Sequence, residues 1–230
     1  MTKKSKKPII DGFQPIITRL GTKEQIIEFV LENTYFFDPE LVKNQKESLK
    51  PPYYVRFSRK KTYFCKESGI EKESNSKDGR HLHKLLNLYI KRGDKNIDIV
   101  VDRDNNEKVK NEIKDYTGQV VSKGKRSTMK NFVITHIWGN ATEPEYFSYM
   151  WNYCITPSFA ASLTDKEDPE EDTVEKLLQD TIKAIAQKLY ACCLPEINKN
   201  EEIGIQNSIS EIQIKLLKKD RETIDYTVKF

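Results

Sequence analysis

The sequence predicts a mixed α+β fold built as one main domain, and three observations predict it. A chain of 230 residues with 37% hydrophobic and 32% charged residues has the apolar content for one sizeable core under a heavily solvated surface. Segments with apolar residues at helical spacing are interspersed with short β-branched and aromatic runs at strand spacing. One helical segment, from about residue 174 to 190, is long enough to serve as the main packing helix, with Val174, Leu177, Leu178, Ile182, Ile185, Leu189 and Tyr190 on one stripe.

Taken in order, residues 1–8 (MTKKSKKP) read as a disordered basic tail, too polar to offset the entropy of ordering. Thr22 is an N-cap candidate for a helix whose face carries Ile26, Ile27, Val30 and Leu31 and which ends near Asn33. Asp38 then caps a second, shorter helix that stops before Pro51-Pro52. YYVRF (53–57) and KTYFC (61–65) predict a hairpin around the SRK turn. Arg56, Arg59, Lys60 and Lys61 interleave with these aromatics and could grip phosphates, but strand propensity accounts for the rings as core, and that reading is preferred.

Residues 71–80 predict a polar loop, followed by a helix carrying His81, Leu82, Leu85, Leu86 and Tyr89. His81 and His83 are two apart, about 200° around a helix, and are not expected to share a metal ion. IDIVV (97–101) is the strongest strand of the first half, and a helix through Val109 and Ile113 closes at Gly118. Residues 119–122 predict a short strand. After an acidic loop (165–172), Asp172 or Thr173 caps the long helix, which ends before Pro195. A polar connection over 196–202 leads to a closing hairpin in which Ile212, Ile214 and Leu216 and then Ile224, Tyr226 and Val228 alternate around 218–222, a better fit than the alternative of an amphipathic helix over 208–219.

Composition narrows the function. No run approaches the roughly 18 apolar residues of a membrane span, and the basic N-terminus is not followed by an apolar h-region, so a membrane partner and secretion are not expected. Cys65, Cys154, Cys192 and Cys193 show no CxxC spacing and read as reduced thiols, consistent with a cytoplasmic protein. The formal charge of +4 hides an asymmetry: residues 1–130 carry 29 Lys/Arg against 18 Asp/Glu, while residues 131–230 carry 10 against 17. A basic half suits nucleic acid, whose phosphates release counterions when neutralised. Lys123, Lys125, Arg126 and Lys130 cluster just before residue 131 and are the candidate phosphate contacts.

Residues 131–166, NFVITHIWGNATEPEYFSYMWNYCITPSFAASLTDK, hold the chemical interest. Asn131–Ile137 alternates as a strand that delivers His136 near its end. Sixteen positions later Asn152 opens a second short strand, and Pro157-Ser158 starts a helix toward Asp165 and Lys166. Trp138, Tyr146, Phe147, Tyr149 and Trp151 would equally make a satellite core around a hydrogen-bonded histidine.

Strand, loop, strand and helix, with His on the first strand and Trp151-Asn152 at the second, resembles the HNH, or ββα-metal, endonuclease family over about 36 of the 230 residues. The resemblance implies a ββα finger over residues 131–166, embedded between helical and strand elements. A basic region (9–130) would contact nucleic acid, and residues 131–230 would pack as one unit. It also implies a metal-dependent DNA endonuclease of a restriction or phage-defence type. His136 would be the general base, Asn152 would orient the imidazole or tie the loop, and a divalent ion, Mg²⁺ with Mn²⁺ or Zn²⁺ as alternatives, would stabilise the transition-state charge. His136 and Asp165 would ligate the ion.

The sequence departs from the family at Thr135, where a metal ligand usually precedes the histidine, and at Ala161, where the final ligand is expected. Those departures keep a second reading in view, a non-catalytic nucleic-acid-binding or protein-interaction module on a degenerate finger. A third candidate set joins Asp98 or Asp102 to Glu112 and Lys114, although this Glu-x-Lys falls in a helical pattern where such charges usually form a solvated face. A homodimer is left open.

Overall fold

The computed structural model describes residues 21–67, 70–74, 79–102, 106–122, 124–165, 168–204 and 209–230. The basic tail, Lys123 and Lys166 lie outside the described residues.

The chain is a single α+β domain with two mixed five-stranded sheets. Helix α1 (Lys23–Glu32) begins at Thr22 with a capping box: Thr22 Oγ1 accepts from Gln25 N, and the Gln25 side chain accepts from Thr22 N. Its buried face is Ile26, Ile27, Val30 and Leu31, as the spacing predicts. Strand β1 (Tyr35–Phe37) is followed by α2 (Pro39–Ser48), which Asp38 caps through Glu40 N at 2.9 Å. Next come β2 (Tyr53–Val55), β3 (Tyr63–Glu67), β4 (Ile70–Ser74), the short helix α3 (Gly79–Leu82), β5 (Leu88–Arg92) and β6 (Lys95–Val101). Helix α4 (Glu107–Thr117) closes at Gly118, whose φ of 74° is the left-handed conformation a glycine C-cap accepts without strain. The second half comprises β7 (Phe132–His136), α5 (Pro144–Phe147), β8 (Tyr153–Pro157), α6 (Ala161–Thr164), α7 (Val174–Tyr190), α8 (Glu196–Lys199), β9 (Glu211–Leu217) and β10 (Thr223–Lys229).

The larger sheet has the order β10-β9-β1-β8-β7. Strand β1 pairs parallel to β9 and antiparallel to β8, and β7 lies antiparallel to β8 with His136 opposite Tyr153. Helix α7, capped by Thr173, packs its predicted stripe on this sheet, and the closing hairpin β9–β10 pairs Thr223 with Leu217 through to Lys229 with Glu211. The smaller sheet, β2-β6-β5-β3-β4, has a core of its own.

Four local expectations are corrected. The residues of β2 and β3 do not form a hairpin: β2 pairs parallel with β6, which places two strands between it and β3. Ile99 and Val101, fully apolar neighbours for Tyr53 and Val55, outcompete the nearer but more polar partner across the SRK turn. Part of the expected polar loop, residues 71–74, belongs to edge strand β4, whose backbone pairs with β3 from Ile70 to Ser74. The expected helix through Tyr89 stops at Leu82. A turn follows, and Asn87 at φ 54° redirects the chain so that Leu88–Arg92 enters the sheet as β5. Residues 119–122 contribute one isolated bridge, Val121 to Met129, since Ser127 and Thr128 side chains take up the neighbouring backbone groups. A short helix, α8, also lies within the expected polar connection.

The four cysteines are free, and among the described residues no helix is long and apolar enough to cross a membrane.

Candidate functional site

His136 ends β7, and its environment is made by three segments that meet there. Burial, and secondarily the charge of Arg56, lowers the imidazole pKa to about 4, so the ring is neutral at pH 7. It stacks on Phe147 at 5.7 Å between centroids and meets the edge of Tyr153 at 6.0 Å. Its Nε2 lies 3.1 Å from Asn106 Oδ1, and Arg56 Nη2 donates to the same oxygen at 2.9 Å. Two donors converging on one oxygen fix the amide orientation. An amide oxygen can only accept, so Nε2 carries the ring proton and Nδ1 carries the lone pair. Both His136 Nδ1 and Arg56 Nε are buried without a hydrogen-bond partner among the described residues. Buried polar atoms are nearly always satisfied, so two such atoms on adjoining side chains mark a place where another group is expected.

Arg56 and Asn106 reach this point by different routes. Arg56 follows β2, and its backbone N donates to Ala141 O at 2.7 Å. Asn106, N-cap of α4, sits at φ 74° and makes no side-chain capping bond, which frees its amide for Arg56 and His136. The capping role passes to Asp102, whose Oδ2 accepts from Lys108 N at 3.4 Å.

Asn152 does not touch His136. Fully buried in the 3₁₀ turn Met150–Asn152, it accepts from Trp138 N at 2.9 Å and donates to Gly139 O and Tyr146 O, each at 3.0 Å. Of its two expected roles, the amide fills that of tying the loop between β7 and β8. Ala141 and Ser148 of that loop hold the outer edge of β2: Ser148 Oγ accepts from Tyr54 N and donates to Tyr54 O, each at 3.0 Å. Asn152 therefore positions Arg56 through the backbone.

Thr135 points away from His136, as alternate strand residues must, and shares hydroxyl bonds with Thr156 at 2.8 Å and Thr164 at 3.3 Å. Ala161 begins α6 and offers only its carbonyl, which accepts from Asp165 N and the Thr164 hydroxyl. Asp165 caps the end of α6. Partial desolvation raises its pKa, and the charge of Arg56 opposes that shift, so it lies on the Arg56 side of the site. Among the described residues no group of three or more His, Cys, Asp or Glu side chains gathers to hold a metal. The described residues here do not fit a divalent centre: Ala161 has no side-chain ligand and its carbonyl is taken, the Asn152 amide is committed to the loop, and Arg56 adds a positive charge beside His136.

Lys125, Arg126 and Lys130 are exposed, but they precede β7 while His136 ends it. Lys130, the nearest, is six residues before His136, at most roughly 20 Å along the chain. Glu112 and Lys114 occupy a helix, not a strand. Glu112 turns inward to pair with Lys108, Lys114 faces solvent, and Asp98 is exposed on β6, so this third set forms no common site. The aromatic residues expected as a satellite core instead join the main core, with Trp151 at its centre against Trp138, Tyr146 and Tyr149. Neither Asn106 nor Arg56 stands out by residue type or spacing as a site residue, and strand propensity alone accounts for the run around Arg56. The DRDNN run ahead of a helix was the available signal for Asn106, since asparagine tolerates the left-handed conformation.

A family model described as "Uncharacterised protein PM1201" matches residues 37–230. The chain belongs to that family. Arg56, Asn106, Asn152, His136, the smaller sheet and four strands of the larger one fall within the matched residues of this PM1201-family chain. No curated protein and no solved structure matches it.

Proposed function

We propose that this protein binds nucleic acid, with DNA as the expected substrate, and hydrolyses its phosphodiester bonds. Arg56 neutralises the reacting phosphate, and His136 Nδ1 accepts the proton of the attacking water. The observation that carries this reading is the meeting of a guanidinium and an imidazole on Asn106 Oδ1, each with one buried nitrogen lacking a partner. A guanidinium supplies the charge and planar donors that a phosphate and its phosphorane-like transition state require.

A pKa of about 4 makes His136 available as a base at neutral pH but a weak one. A bound phosphate offsets the Arg56 charge that helps depress it, so substrate raises the basicity of the ring when it is needed. The exposed cations Lys125, Arg126 and Lys130 would hold flanking phosphates. The divalent ion implied by the HNH resemblance has no complete set of ligands in the described residues, and we assign proton transfer and charge stabilisation to His136 and Arg56.

The test is nicking of plasmid DNA with Mg²⁺, with Mn²⁺ and with chelator, alongside retention of labelled DNA at increasing salt. His136→Ala is expected to lower nicking by at least roughly 100-fold with DNA retention kept, as for loss of a general base. Arg56→Ala is expected to lower both. Nicking unchanged in His136→Ala overturns the reading. Ala161 and the low basicity of His136 favour a second reading, a non-catalytic nucleic-acid-binding module. It predicts retention that weakens steeply with salt and no nicking under any condition.

A further inference from the structure

One side of helix α4 carries Lys108, Glu112, Asp115 and Tyr116, with Glu112 buried and Tyr116 packed at the margin of the main core. It lines a cavity of about 540 Å³ closed on the other side by Tyr53 and Tyr54 of β2 and by Ser48 of α2. That volume lies in the range of small-molecule pockets, roughly 300–1,000 Å³. Glu112 is 7% exposed, and its Oε1 is 2.5 Å from Lys108 Nζ, which also lies 4.9 Å above the Tyr54 ring. Ser48 Oγ and Tyr116 Oη are 2.7 Å apart. Three tyrosines around a lysine–carboxylate pair, with Leu49 and Pro52 also on the wall, suit a flat heterocycle with donors and acceptors on one edge.

We infer that this cavity binds a guanine base. Guanine places an acceptor, O6, beside two donors, N1–H and N2–H. Lys108 supplies the donor for O6, and Glu112 supplies the carboxylate for the two N–H groups. Adenine puts an amine against the ammonium and a bare nitrogen against the carboxylate. Cytosine gives the carboxylate a single donor. The assignment rests on the nucleic-acid reading above and adds base selection to it. Tyr54 and Arg56 are two residues apart on one strand segment, and Asn106 caps the helix that bears Lys108 and Glu112. The cavity and the Arg56–Asn106 contact are thus carried by the same two elements, β2 and α4.

Titration calorimetry of the full chain with GMP, AMP and CMP tests the inference without requiring cleavage. GMP is expected to bind at least about tenfold more tightly than either of the others, as one mismatched polar edge would give. Lys108→Met and Glu112→Gln are each expected to remove that preference, with thermal melting reporting which variant stays folded. Lys108 is the more exposed of the pair and keeps the test open should the buried Glu112→Gln fail to fold. Equal affinity for the three nucleotides, no GMP binding, or an unchanged preference in a folded Lys108→Met overturns the guanine site. Failure of GMP binding with DNA nicking intact removes this inference alone. GMP selectivity in a protein that neither retains nor nicks DNA supports the cavity and removes the nucleic-acid reading.

Discussion

The two sheets share a strand count but differ in how firmly they are held, and the candidate site is strung between them. In the larger sheet β8 is buried at every residue from Tyr153 to Pro157, between β1 and β7, with α1 packed on it. The smaller sheet gathers eight buried hydrophobic side chains among the described residues, and Arg56 leaves it from edge strand β2. The imidazole thus stands on the deep core and the guanidinium on a shallow one. A group that must present a lone pair at a fixed angle benefits from rigidity, while one that clasps a charged backbone tolerates movement, and local stability commonly divides in this way.

The largest effect that probes this contrast is Trp151→Ala. Trp151 is 1% exposed at the centre of the main core, and its removal is expected to cost about 3–5 kcal/mol in urea denaturation, with both sheets lost in one transition. A loss under about 1 kcal/mol would break the contrast, because the larger sheet would then be no better anchored than the smaller.

Acid should act next, and through His136. Its folded pKa of about 4 lies below the ordinary 6.5, so between those values the unfolded chain binds the proton that the folded chain refuses. Stability is therefore fully present above about pH 6.5 and is lost as pH falls toward 4. The upper bound of that loss is about 3 kcal/mol, less whatever solvent reaches the ring. His136→Asn should flatten this part of the stability–pH curve relative to wild type, read by urea midpoints from pH 7 to 4.5. An equally steep curve in the variant would show that other groups carry the acid sensitivity.

How far this arrangement could be read from the sequence depends on how local each signal is. Thr22, Asp38, Thr173 and Gly118 were legible because a cap acts within one turn of its own helix. The hairpin β9–β10 was legible because its pairing is closed by a short turn. Pairing between distant strands was not, and the same lack of long-range information made β2 look like the partner of β3. At the site, His136 stood out by residue type and strand position. The function of Asn152 was open between two roles, since its three partners lie 6 to 14 residues upstream in a loop of irregular path. The meeting of Arg56 with Asn106 spans 50 residues of chain and two elements, and periodicity carries no trace of it.

The smallest effect isolates the shallow sheet. Ile90, 6% exposed on β5, packs in the second core, and Ile90→Val should cost about 1 kcal/mol by removing one methylene. Two residues on, Arg92 forms ion pairs with Glu143 and Glu145, so β5 also helps to tether the smaller sheet to the loop that Asn152 ties. Hydrogen exchange on Ile90→Val should quicken at β5 and β6 amides and leave those of β8 unchanged, because the openings that expose β5 and β6 need not break the main core. If β8 amides quicken to the same extent, the sheets open together, and the difference in anchoring between the imidazole and the guanidinium disappears. If only β5 and β6 respond, a modest loosening of the Arg56 arm should weaken DNA retention more than it lowers the nicking rate per bound molecule. The two halves of the proposed reaction would then map onto two parts of one domain that open separately.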